Sequence, residues 1–157
     1  MPWRAAASKF ITERDEPLTK YLDRLQPLAL LVLRLVLATV MIAHGSQKVL
    51  GGMPRFQTIV SGIGLPAWLA YLSAAAEFGG GILVLLGVLT RFAALAITID
   101  LMVAIVRIHF KAGLRGPGGF EFPMSVVAIA FALIFFGAGP IALDTIFSGR
   151  SSIDRGR

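Results

Sequence analysis

Hydrophobic positions in this chain gather into four long runs with few polar interruptions. The first, LALLVLRLVLATVMIAHGSQKV, covers residues 28–49, and similar runs follow at about 66–89, 92–110 and 122–143. A helix in a soluble bundle carries a polar stripe along its outer face, and three of these runs have almost none. Stretches of about 20 apolar residues match the hydrocarbon thickness of a bilayer. Isolated strands would leave backbone groups unpaired in lipid, and four segments cannot close a barrel. The expected fold class is therefore all-α, an integral membrane four-helix bundle.

The punctuation between runs supports the same division. Pro27 suits the first turn of a helix. Gly51, Gly52 and Pro54 close the first run, and PRFQTIVS can form a short helix after it. Pro66 opens the second run, and Thr90 with Arg91 makes a very short turn before the third. KAGLRGPGGFE, residues 111–121, is the longest break between runs. GAGP at 137–140 interrupts the fourth, which either continues past a kink to Leu143 or enters only part of the membrane. Three regions follow: a tail of mixed charge at 1–24, a four-span membrane domain at 25–147, and a second tail at 148–157. In the first tail, Phe10, Ile11, Leu18, Tyr21 and Leu22, with Leu25 just beyond it, can lie in the membrane interface. A cleaved signal peptide is not expected, because the leading region is long and acidic and Arg34 breaks the apolar part.

Composition narrows the function classes. Of 157 residues, 56% are hydrophobic and 15% charged, against about 25% charged in soluble domains. Mean hydropathy is +0.78. A chain of this length cannot surround four all-apolar helices with protein, so the expected partner is the lipid bilayer. Cysteine is absent, which excludes disulfides, thiol nucleophiles and thiolate metal sites. The net charge of +6 sits near the ends of the runs and suits anionic headgroups, while no soluble basic face offers itself to nucleic acid. Four spans put nine Lys and Arg residues on the side of the termini and five on the other. The positive-inside bias then predicts cytoplasmic termini in a cell inner (plasma) membrane protein.

The polar residues inside the runs are the candidate chemistry. Arg34 lies about six residues, or roughly 10 Å, into the first run. Glu77 and Asp100 lie near the middle of the second and third. Ionisable groups at such depth are costly unless paired, so an Arg34–Glu77 or Arg34–Asp100 pair is expected, serving either packing or a polar cavity. His44 and Lys48 share a face of the first run, and Arg107 and His109 end the third beside Glu121. These five are expected to converge on the non-cytoplasmic side, where they suit a quinone carbonyl, a small anion or a lipid phosphate. Lys48 and Lys111 taken alone fit snorkelling. Gly80, Gly81 and Gly87 fit close helix packing, with entry of a flat ring beside Glu77 as the alternative. No metal motif is present. His44 and His109 are the only histidines, so haem is an unfavoured ligand. Ser46 has no evident base beside it, which argues against hydrolysis.

The order and lengths of these segments resemble the DoxX family of small four-helix membrane proteins. The likeness runs from about Leu33 to Leu143. It rests on LRLVLATVMIAHGSQKVLGG, EFGGGILVLLGVLTRFAAL, VRIHF and GGFEFPMSVVAIAFALIFFGAGPIALD. The resemblance implies functional weight at Arg34, His44, Gly45, Lys48, Glu77, Gly80, Gly81, Gly87, Arg91, His109 and Glu121. It also implies an inner-membrane protein associated with redox complexes, since the family name is shared with a subunit of thiosulfate:quinone oxidoreductase. Other relatives are linked to oxidative-stress complexes with superoxide dismutase and a sulfurtransferase. The expectation is a quinone-interacting subunit served by a redox partner, with self-association through the glycine faces. A non-catalytic scaffold, and a small-molecule transporter or lipid-binding protein, remain alternatives. Whether the chain is itself an enzyme stays open.

Overall fold

The computed structural model describes the backbone of residues 2–145 and the side chains of residues 19–145. The expectations resting on the side chains of Arg4, Lys9, Phe10, Ile11, Arg14 and Leu18, and on the tail at 148–157, lie outside the described residues. Within them the chain is helical and contains no strand. The elements are α1 (Pro2–Gln47), α2 (Met53–Gly62), α3 (Leu69–Leu86), α4 (Thr90–Ala112) and α5 (Glu121–Phe136).

Three helices are long and apolar enough to cross a membrane, and α5 is a shorter apolar helix. In the apolar windows of the three long ones, only 22% to 33% of residues are buried. Phe92, Phe110 and Phe136 are each about two-thirds exposed or more. Water would not tolerate so much open apolar surface. Lipid does, and the protein is an all-α membrane helical bundle.

One helix start differs from the sequence expectation, and one helix end decides between the two alternatives left open for the fourth run. Pro27 does not open a helix but sits inside α1. Its missing N–H costs one backbone bond, and the surrounding Lys, Leu, Arg and Gln residues are strong helix formers that carry the helix through. The Gln26 side chain also donates to Asp23 one turn earlier, at 2.8 Å. At the other end, α5 stops at Phe136 rather than near Leu143, because Gly137 and Gly139 take positive φ values of 71° and 72°. Sixteen residues rise only about 24 Å, short of the ~30 Å hydrocarbon core.

The core is narrow and rich in small residues. Leu37, Ala38 and Met41 of α1 pack against Val84 of α3, Ala94 and Ile97 of α4, and Ala130 and Leu133 of α5. Close approach is built from glycine. A Cβ on Gly45 would lie 2.5 Å from the backbone nitrogen of Phe78, and one on Gly81 would lie 2.9 Å from Ile42. The backbones of α1 and α3 therefore touch, as small residues allow in membranes. After α1 the chain kinks at Leu50 and Gly51 (φ 124°) and turns into the short α2. α3 and α4 each contain a π-helical turn, at Ala75–Gly79 and Ile105–His109.

Candidate functional site

Two polar centres occupy opposite ends of the bundle. The first is built on Arg34, which is 2% exposed. Its guanidinium donates from Nε to the Val84 carbonyl at 3.0 Å and from Nη2 to Leu85 at 2.9 Å. Nη1 donates to Ala138 at 3.0 Å and also to Ile141. Val84 and Leu85 lie in the last turn of α3, where carbonyls lack helical partners and carry the negative end of the dipole. α3 ends there because Gly87 adopts the left-handed conformation (φ 70°), with Val88 N–H bonding Leu83 and Gly87 N–H bonding Val84. A Cβ on Gly87 would lie 2.5 Å from Arg34 Nη2. Asp144 supplies the countercharge. Its carboxylate accepts from Leu89 N–H at 2.9 Å, and its own N–H bonds Gly87 at 3.2 Å.

The expected pairing of Arg34 with Glu77 or Asp100 is thus corrected. Five N–H groups in a planar fork match several carbonyls better than one carboxylate, and those carbonyls lie within reach at the end of α3 and in the segment after α5.

The second centre lies toward the other end. Lys48 Nζ meets a Glu77 carboxylate oxygen at 2.6 Å. It also donates to Ser73 Oγ at 3.2 Å and stands 3.9 Å from the centre of the Phe56 ring. The Ser73 hydroxyl in turn hydrogen-bonds Asp100. Lys48 directly follows α1, Ser73 and Glu77 are one turn apart on α3, and Asp100 is midway along α4, so one network ties the end of α1 to α3 and α4. Glu77 sits in the π-helical turn, a feature often found at functional sites.

Ser73 and Asp100 also face a groove of about 700 Å³ that runs between the membrane-spanning helices α3 and α4, is flanked by α2 and opens at the bundle surface. Its walls are otherwise apolar and include Phe56, Leu72, Leu83, Phe92 and Val103. Gly79 forms part of the wall, and a Cβ there would meet nothing within 4 Å. Glu77 and Lys48 stand behind the polar edge without lining the groove. Ligand sites elsewhere combine mostly apolar walls with a few placed polar groups.

The remaining candidates do not converge. His44 is exposed and stacks on Phe122 of α5, with ring centroids 6.1 Å apart. Arg107 donates to the Ile63 carbonyl at 2.7 Å and so fastens α4 to the loop after α2. His109 is turned to the Gly118 carbonyl at 2.7 Å, holding the loop before α5. Glu121 is exposed in the first turn of α5. The five residues were expected to meet because they share a depth. They separate because they leave their helices in different directions, and only Lys48 turns inward. Arg91 is exposed, beside Gly137. Gly80 packs against Ile97, Gly81 against Ile42, and Gly87 against Arg34. Among the described residues no group of three or more metal-ligating acids and histidines is assembled.

Sequence reasoning missed Ser73 and Asp144. Ser73 lies four residues before Glu77, so helical spacing could have placed both on one face. Gly79 reads in the sequence as a packing glycine like Gly80 and Gly81, but it faces the groove and no neighbour closes on it. Asp144 follows the GAGP break, and nothing local links it to Arg34.

Comparison with known proteins agrees with this architecture. A Bacillus subtilis protein named "Putative oxidoreductase CatD" is 33% identical over 123 residues, covering 78% of this chain and 90% of its own. An uncharacterized Haemophilus influenzae protein is 33% identical over 135 residues, covering 80% and 96%. A Mycobacterium tuberculosis protein named as an uncharacterized membrane protein is 32% identical over 141 residues, covering 80% and 85%. No solved structure gives a significant match. The DoxX family model matches residues 29–110, just over half of the chain, so this chain belongs to the DoxX family.

Proposed function

We propose that this membrane protein binds a quinone in the groove between α3 and α4 and serves a redox reaction whose electrons come from a partner protein or a soluble reductant. The observation carrying this reading is the groove itself. It has one short polar edge, Ser73 and Asp100, on an apolar wall deep enough for a ring and part of an isoprenoid tail. A quinone is a flat, lipid-soluble ring that accepts two electrons and two protons on reduction. Ser73, or Asp100 when protonated, can donate a hydrogen bond to a ring carbonyl. Lys48 holds Ser73 in place and keeps a proton source behind it. The lipid-facing opening lets the ligand enter without crossing water. The name of the Bacillus relative points to the same class of chemistry. The proposed location is a cell inner membrane with both termini in the cytoplasm.

The test is extraction of small molecules from protein purified out of native membranes in mild detergent. Wild type should carry a quinone in near-stoichiometric amount, and Gly79→Leu, which adds a side chain to the groove wall at a position whose Cβ meets no neighbour within 4 Å, should carry little. Equal quinone in a folded Gly79→Leu protein, or none in wild type, rejects the reading.

A further inference from the structure

The charges around the groove are unevenly matched. At its polar edge stand Ser73 from α3 and Asp100 from α4; behind them lie Glu77 of α3 and Lys48, just after α1, with His44 of α1 and Arg107 of α4 farther off and turned elsewhere. Arg107 is engaged with Ile63 and His44 with Phe122. The single ammonium of Lys48 is held against Glu77 at 2.6 Å and over Phe56. Asp100 therefore has a neutral hydroxyl as its direct partner, and two carboxylates share one nearby cation. A carboxylate in an apolar, lipid-facing site must take up either a proton or a positive charge.

We propose that the groove is also a binding site for lipophilic monocations, whose positive centre sits against Asp100 while the apolar body lies along Leu72, Leu83 and Phe92. This goes beyond the quinone reading and does not depend on it. The opening toward lipid admits a cation that partitions into the bilayer, and the apolar walls exclude a small hydrated one. Protonation of Asp100 removes the attraction, so cations bind more tightly as pH rises. The same protonated form favours a neutral carbonyl ligand, so the two ligand classes compete.

Tetraphenylphosphonium is the probe, with uncharged tetraphenylmethane as control. Binding is measured by equilibrium titration of the full chain in nanodiscs of zwitterionic lipid. The wild type should show saturable binding of the cation at one site, and any change with pH should be a strengthening as pH rises. Asp100→Asn should weaken it about tenfold or more, the scale of losing a charge-assisted contact. Gly79→Leu should abolish it. Glu77→Gln should also weaken it, because Lys48 is then free to neutralise Asp100. A purely structural role for these charges would leave affinity unchanged in folded variants. Should Asp100→Asn fail to fold, Gly79→Leu reads the same site. Cation binding that is absent, that weakens as pH rises, or that is unaffected by a folded Asp100→Asn or Gly79→Leu overturns the proposal. Quinone retained by a wild type that takes no cation rejects this inference alone.

Discussion

Arg34 and Asp100 are both ionisable residues placed deep in membrane-spanning helices, yet the bundle treats them in opposite ways. Arg34 is closed off. Four carbonyl oxygens from two segments accept its protons, and Asp144 balances its charge. Asp100 is left at the rim of a cavity with one hydroxyl for company. A fully satisfied buried charge leaves nothing over for a ligand, and its removal is costly. A partly satisfied one contributes little to packing and is available for chemistry. Depth in the membrane thus does not separate structural from functional charges. The count of partners does.

This contrast breaks most severely at Arg34. Arg34→Met should take the guanidinium away from Leu85, Ala138 and Ile141 and leave Val84 only the Gly87 N–H, for a cost of more than about 4 kcal/mol, an exceptional loss for one substitution. The expected outcome is no monodisperse protein on size-exclusion chromatography in mild detergent. Arg34→Lys keeps the charge but loses the planar fork, and a marked fall in thermal stability is expected there too.

A pair of glycines sharpens the comparison. Gly87→Ala demands a left-handed alanine and pushes against the guanidinium, for a cost of about 1–3 kcal/mol. Gly79→Ala, facing the groove, should gain up to about 1 kcal/mol from helix propensity. Thermal unfolding of both in the same detergent should move in opposite directions. Equal destabilisation would mean that the groove is packed shut.

Smaller effects belong to Asp144. Asp144→Asn keeps a hydrogen-bond acceptor for Leu89 N–H and loses the countercharge, so a loss of about 1–2 kcal/mol is expected. The drop should be visible in thermal stability, with quinone content unchanged. Loss of quinone in a folded Asp144→Asn protein would show that the two centres are coupled.

The same contrast explains how much could be read in advance. Apolar runs and their breaks, such as Gly51-Gly52 with Pro54 and the Thr90-Arg91 turn, are local features of a sequence. Lipid as solvent makes them strong ones, because every backbone group must be bonded within its helix. Arg34, Glu77 and Asp100 stood out for the same reason. Their partners did not. Backbone carbonyls carry no residue-type signature, so the cage around Arg34 was invisible. Lys48 read as one of five outer-end polar groups, or taken alone as a snorkelling lysine, because nothing in its neighbourhood shows that the kink at Gly51 brings Phe56 back over it. His44, Arg107, His109 and Glu121 share a depth with Lys48, but depth along an axis says nothing of direction around it. The π-helical turns at Glu77 and Arg107 shift that direction further from ideal helical spacing.

The central claim is that the space beside Asp100 is a ligand site, and the chain offers a clean way to ask, because it has no native cysteine. Ala96 lines the groove one turn from Asp100. In an Ala96→Cys protein, the rate of labelling by a membrane-permeant maleimide should fall severalfold when a short-chain quinone is added at saturating concentration. A labelling rate that stays the same with and without quinone would contradict the account.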